Sequence, residues 1–189
     1  MNKQTLFAFA GITAITAAVL IIFSETPVID PIGEEVSISY SYPSFEGMEI
    51  VLAAVAEDES EILLQYAEQA GEADADEEAV PDHMTALEGP YEYEEPVLTI
   101  RQGPEPVWLR GTPTEYNEDH HGELFELDGH ELYVSTEETL GLLQVITNYR
   151  DTSFLIQLEE IDVEMPRAEL EELIQDIFSE IRASYNEQE

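Results

Sequence analysis

The chain contains no cysteine, which excludes disulfides, thiol chemistry, thiolate metal sites and a lipid-modified cysteine anchor. Positive charge is nearly absent as well. Across 189 residues there are six basic side chains against 43 acidic ones, a formal charge of −37. Lys3 is the single lysine, and Arg101, Arg110, Arg150, Arg167 and Arg182 complete the set. Such a surface repels nucleic acid and anionic lipid head groups, so cations, bound weakly and unspecifically, or basic segments are the electrostatic partners. Self-repulsion of this size strains a compact domain in dilute buffer. At about 1 M salt the Debye length falls to about 3 Å and distant carboxylates no longer feel one another. The composition is that of a halophilic protein. GxSxG, HExxH and phosphate-cradling glycine loops are all missing, and no enzyme is expected.

What is present begins with a long apolar run. Residues 6–23, LFAFAGITAITAAVLIIF, carry no charge. Eighteen residues rising 1.5 Å each cover about 27 Å, close to the hydrocarbon thickness of a bilayer. Lys3 precedes the run and Glu25 follows it, with no small-x-small cleavage site after Phe23. The expectation is an uncleaved, single-pass transmembrane anchor over 1–24 with the rest of the chain outside the cell. The alternative is a secreted protein released by cleavage. Residues 25–35, with two prolines and a glycine, read as a stalk.

Hydrophobic residues make up 43% of the chain, ordinary for a globular protein and too many for a disordered acidic tail. A single domain is expected over 36–182, with a tail at 183–189. Val36, Ile38, Tyr40 and Tyr42 alternate with serines, the pattern of a half-buried strand or extended arm. The stretch from Met48 to Ala70 suits either one helix or a hairpin turning at Asp58 to Ser60. Residues 71–95 read as an acidic solvated loop. Val97 to Ile100 read as a strand ended by Gly103-Pro104, and a further loop runs on to His121. Two hairpins follow: Leu124–Leu127 with Glu131–Val134 about Asp128-Gly129, and Leu143–Tyr149 with Ser153–Leu158 about Arg150-Asp151. Pro166 opens an amphipathic helix in which Leu170, Leu173, Ile174, Ile177, Phe178 and Ile181 recur at spacings of three and four.

Chemical candidates are few. His120-His121 beside Glu118 and Asp119 has the donor types of a zinc site. Adjacent residues rarely face one ion, however, and no second histidine-rich segment completes the set, so a polar loop is the reading. Asp74, Asp76, Glu77 and Glu78 lack the glycine and terminal glutamate of a calcium loop. Trp108, with Tyr91 and Tyr93, either lines a pocket mouth or caps one end of the core. A hydrolase would need His120 or His130 in a cleft with a nucleophile. No catalytic, cofactor-binding or metal residue is assigned, and no cofactor is expected.

Pro43-Ser44-Phe45-Glu46-Gly47-Met48 before a strand, a strand ending in Tyr66, and Val97-Leu98-Thr99-Ile100-Arg101-Gln102-Gly103 form an ordered set. It closes with the strand-turn-strand-helix from Gln144 through Arg150-Asp151-Thr152 to Met165-Pro166 and Leu173. This order resembles a family of extracytoplasmic domains related to the lipoprotein-carrier and sigma-regulator fold, near the uncharacterised domain found with bacterial anti-sigma factors. The chain departs from the family in having Asn148-Tyr149 where a tryptophan is usual, and in its long acidic insert. The resemblance implies a hairpin over residues 50–66 and no transferable catalytic residue. It also implies a curved antiparallel sheet with a helix on its concave side. Taken with the apolar run, the fold class expected is α+β, a curved and mainly antiparallel sheet packed against the C-terminal helix and preceded by the transmembrane helix. The function expected is non-enzymatic binding of an apolar or amphipathic ligand, or a partner chain, in the sheet's concavity. The alternative is a structural or interaction module of an envelope complex with a filled interior. A cavity between sheet and helix would favour the first, a packed core with an open edge strand the second.

Overall fold

A computed structural model describes residues 32–33, 36–72, 80–91, 97–104, 112–120, 122–137, 141–159, 161 and 165–186, with backbone alone for 118–120, 137 and 186. The apolar run 6–23 lies outside these residues, and among the described ones no helix is long and apolar enough to cross a membrane. The described elements are, in order, β1 Tyr40–Ser41, β2 Glu49–Ala56, β3 Ile62–Ala67, β4 Met84–Glu88 and β5 Leu98–Gly103. Then come α1 Pro113–His120, β6 Glu123–Leu127, β7 His130–Glu137, β8 Leu142–Tyr149, β9 Thr152–Leu158, α2 Arg167–Ala183 and β10 Tyr185–Asn186.

Eight strands form one sheet in the order β4-β2-β3-β5-β9-β8-β7-β6, and β1 and β10 form a separate two-stranded ribbon. Every pairing is antiparallel. The fold is α+β, an antiparallel sheet packed on a C-terminal helix. Residues 49–67 are a hairpin and not a helix, as the resemblance implied; alanine and leucine tolerate a strand when both faces are buried, as they are from Val51 to Ala56. At the β6–β7 turn Asp128 and Gly129 adopt φ 52° and 81°, the primed geometry that matches strand twist. Two register shifts occur beside β2: against β3 the extra residue is Val51 of β2, between Ile50 and Leu52, and against β4 it is Leu87 of β4, opposite Ala53 and Ala54. Each adds a bulge and local twist.

Period-two alternation sorts the side chains. Ile62, Gln102, Phe154, Thr147, Leu132 and Phe125 form one continuous row across six strands, on the face that carries the main core. The opposite face holds two smaller clusters, one around Leu52, Leu63 and Met84, the other around Tyr133, Ile146 and Leu155.

Several expectations need correcting. The acidic stretch 71–95 contains a strand, β4, because Met84 is buried and its neighbours pair with β2. The loop leading to His121 contains α1. Its start is a reciprocal cap, with the Thr112 amide bonding Glu115 Oε2 at 2.7 Å and the Glu115 amide bonding Thr112 Oγ1 at 3.3 Å, and Pro113 at the first helical position. Ile32, assigned to the stalk, is fully buried in the main core. The tail begins later than expected, since Ala183 ends α2 and β10 pairs with β1.

Candidate functional site

The inner face of the sheet is where the resemblance implied a binding concavity, and two parts of the chain cover it. Over β8 and β9 lies α2. Pro166 caps it with φ −57° and ψ 140°, Glu169 occupies the first turn, and Ile174, Ile177, Phe178 and Ile181 are buried. Leu170 and Leu173 are half-buried against the same core. Ile174 and Ile177 meet Leu143, Val145, Ile156 and Leu158 with no volume left for a water molecule. Further along, the Phe178 ring lies edge-on to His130 at 5.4 Å and to Tyr149 at 6.0 Å. Arg182 lies over the Phe178 ring, 5.1 Å from its centre, and donates to Asp128 at 2.7 Å, tying the last turn of α2 to the β6–β7 turn.

The other half, over β3, β4 and β5, is covered by the arm of residues 36–45. Its tyrosines are buried as the alternation predicts, but Ser39 and Ser41 are buried too. The reason is enclosure from both sides. Gln102, on β5 and 0% exposed, accepts from the Ser41 amide at 2.7 Å and donates to the Ser41 carbonyl at 2.6 Å. On the opposite side Ser41 Oγ donates to the Ile181 carbonyl at 2.8 Å. The Tyr42 hydroxyl donates to Glu88 at 2.7 Å and the Tyr66 hydroxyl to the Pro43 carbonyl at 2.9 Å. Phe45 meets Tyr66 edge-on at 5.1 Å. Burial, together with the Glu88 carboxylate, raises the Tyr66 phenol well above its ordinary range.

A polar clasp holds the ends together. Tyr185 of β10 donates to Asp151 at 2.5 Å, and Thr152 Oγ1 lies 2.8 Å from the same hydroxyl. Thr152 also donates to the Ser39 carbonyl at 3.2 Å. The Tyr185 bond holds the Asp151 carboxyl below its ordinary value. Burial first, and the Asp151 bond second, raises Tyr185.

At the far end of the sheet β6 has β7 as its neighbour and ends the strand order. A two-residue turn makes Leu127 and His130 a hydrogen-bonded pair, so bonding alternates through Phe125–Leu132 to Glu123–Val134. The amides and carbonyls of Leu124 and Glu126 therefore point away from β7. Leu124 is the exposed large hydrophobic side chain among the described residues, at 42%. Between β6 and the N-terminal half of α2 runs a groove of about 200 Å³, bordered by Phe125, Leu127, Arg167, Glu171 and Ile174. Arg167 spans its upper end, with donors 3.3 Å from Glu123 and 2.9 Å from Glu171 and its guanidinium 4.5 Å from the centre of the Phe125 ring.

Among the described residues the candidates named from sequence form no site. Glu118, Asp119 and His120 end α1, whereas His121, Trp108, Tyr93 and the Asp74, Asp76, Glu77, Glu78 group lie outside the described residues. Tyr91 extends the β2–β4 pairing through its amide, 2.9 Å from the Val51 carbonyl. His130 is half-buried and packs against aromatic rings. Among the described residues no group of three or more histidine and carboxylate side chains suits a metal ion. Sequence reasoning missed Gln102, although an amide in phase with Leu98 and Ile100 marks a polar group on a core face. It missed the β6 edge as well, because strand order is not encoded locally. No family model matches the chain, and no curated protein or solved structure matches it.

Proposed function

We propose that the chain is a non-enzymatic interaction module of an envelope assembly, tethered by residues 6–23 with its folded part outside the membrane, in a high-salt setting. The observation that carries this reading is the close cover over β5, β8 and β9: α2 packs on β8 and β9 without space for water, the arm's Ser41 is locked to Gln102 by two buried bonds, and the groove of about 200 Å³ between sheet and helix lies out at the β6 edge. Contact with a partner then falls to the surface, where β6 is, among the described residues, an open edge of the sheet. The likeness to the lipoprotein-carrier and sigma-regulator fold belongs to the same proposal, as does curvature of the sheet, for which the register shifts in β2 and β4 speak.

The competing reading, an apolar or amphipathic ligand in the concavity, requires the arm or α2 to swing away. Releasing the arm breaks both bonds to Ser41 and leaves the Gln102 amide facing an apolar ligand without partners, at about 1–3 kcal/mol for each unmade bond, which weighs against it. Native mass spectrometry of the full chain, purified from its own membrane, tests the choice. The mass of the bare polypeptide is expected after gentle removal of detergent. A retained apolar molecule at one copy per chain would transfer the function to the carrier reading.

A further inference from the structure

We propose that β6 receives, as a ninth strand of the sheet, an extended segment of a partner protein in which apolar residues alternate with lysine or arginine. This rests on the interaction-module reading and adds its site and the chemistry of its partner.

The backbone provides the first part of the argument. Leu124 and Glu126 direct their amides and carbonyls outward, an array that an extended segment satisfies by strand addition. The other end of the sheet is less suited. The register of β4 shifts against β2 between Ala53 and Ala54, and Pro90 follows the strand closely; bulges and prolines are the usual protection of an edge. The register of β6 against β7 is continuous from Glu123 to Leu127.

Side chains define the occupant. Residues of an added strand alternate between faces. Those turned towards α2 enter the groove beside Phe125, Leu127 and Ile174 and must be apolar. Those on the other face run beside Leu124 and Glu126, on a chain whose net charge is −37, and lysine or arginine answers that field. Along the β6 edge, on both faces, the carboxylates of Glu123, Glu126 and Glu171 outnumber the guanidinium of Arg167. A second copy of the chain would bring another −37 to the contact. At about 1 M salt only charges in contact still attract, so backbone bonds and the apolar groove supply most of the affinity and the cations select the sequence.

The test uses the full chain in nanodiscs at about 1 M salt, with a fluorescent peptide of about ten residues alternating valine and lysine. Saturable binding is expected. N-methylation of the peptide at alternate residues, which keeps charge and apolar surface but removes one edge of donors, should weaken it at least about tenfold. Leu124→Pro should do the same, because that nitrogen faces away from β7 and proline there removes no ladder bond. The methylated peptide keeps the test valid on unaltered protein if this variant fails to fold. Equal binding of methylated and plain peptides would overturn the proposal, as adsorption to a negative surface. Absence of binding would overturn it too. A dimer that Leu124→Pro dissolves would replace the basic partner with a second copy. A photocrosslink from the peptide to a site away from β6 would defeat this inference while leaving the interaction-module reading intact. That reading falls instead on a ligand retained in native mass spectrometry.

Discussion

Replacing Gln102 with leucine isolates the contact that closes the inner face. The side chain is 0% exposed, and its two bonds to Ser41, at 2.7 and 2.6 Å, are both buried. Leucine has similar volume, so cavity formation is minor and the loss is polar. Two backbone groups on the arm lose their partner, at about 1–3 kcal/mol each, or about 2–6 kcal/mol together. The lower half of that range is expected, because leucine does not carry its own amide out of water. Against a total stability of about 5–15 kcal/mol the change is large. Urea is the appropriate denaturant, since guanidinium is itself a salt and would alter screening. With a slope of about 1.5 kcal/mol/M, the midpoint should fall by about 1–3 M at fixed high salt. Amide hydrogen exchange of residues 36–45 should accelerate before the sheet opens, because the arm is lost first. An unfolding free energy within about 0.5 kcal/mol of the parent, with Ser41 still protected, would refute the view that this amide holds the arm.

Two further predictions concern α2 and charge. Ile177→Asp places a carboxylate against Leu143, Val145, Ile156 and Leu158 and should cost more than about 4 kcal/mol, whereas Leu173→Asp, at a half-buried position, should cost clearly less; equal effects in urea melts would contradict the packing of α2. Salt and pH should act together. In dilute buffer thermal unfolding should be weakly cooperative, becoming cooperative near about 1 M salt. The carboxyls of Asp58, Glu59 and Asp151 are held below their ordinary values by bonds from Ser60, Ser37 and Tyr185. They therefore stabilise the fold above the free-carboxyl range, and lose that contribution as pH falls through their lowered values. Glu180, raised by burial and by Asp176, acts in the opposite sense. In high salt the melting temperature should drop below about pH 4, whereas in low salt mild acid should first raise it by removing repulsion. The same sign in both salts would defeat the argument.

Local chemistry in the sequence was sufficient for the two hairpins that follow His121 and for α2, but left residues 50–66 open between helix and hairpin. Asp128-Gly129 accepts positive φ, and a stripe at spacings of three and four has one apolar face to bury. The capped start of α1, Thr112-Pro113-Thr114-Glu115, was equally local but lacked an apolar stripe, having only Tyr116 to set against Tyr133. The charge imbalance, which specifies a salt-dependent surface, is a property of composition alone. Tertiary structure decided the rest. The order β4-β2-β3-β5-β9-β8-β7-β6 joins strands distant in the chain, and nothing in one strand names its neighbour or marks it as an edge. The serines of the arm alternate as though they faced water, yet Ser41 is enclosed between Gln102 and Ile181. Its exposure depends on what stands on either side, and only packing in three dimensions determines that.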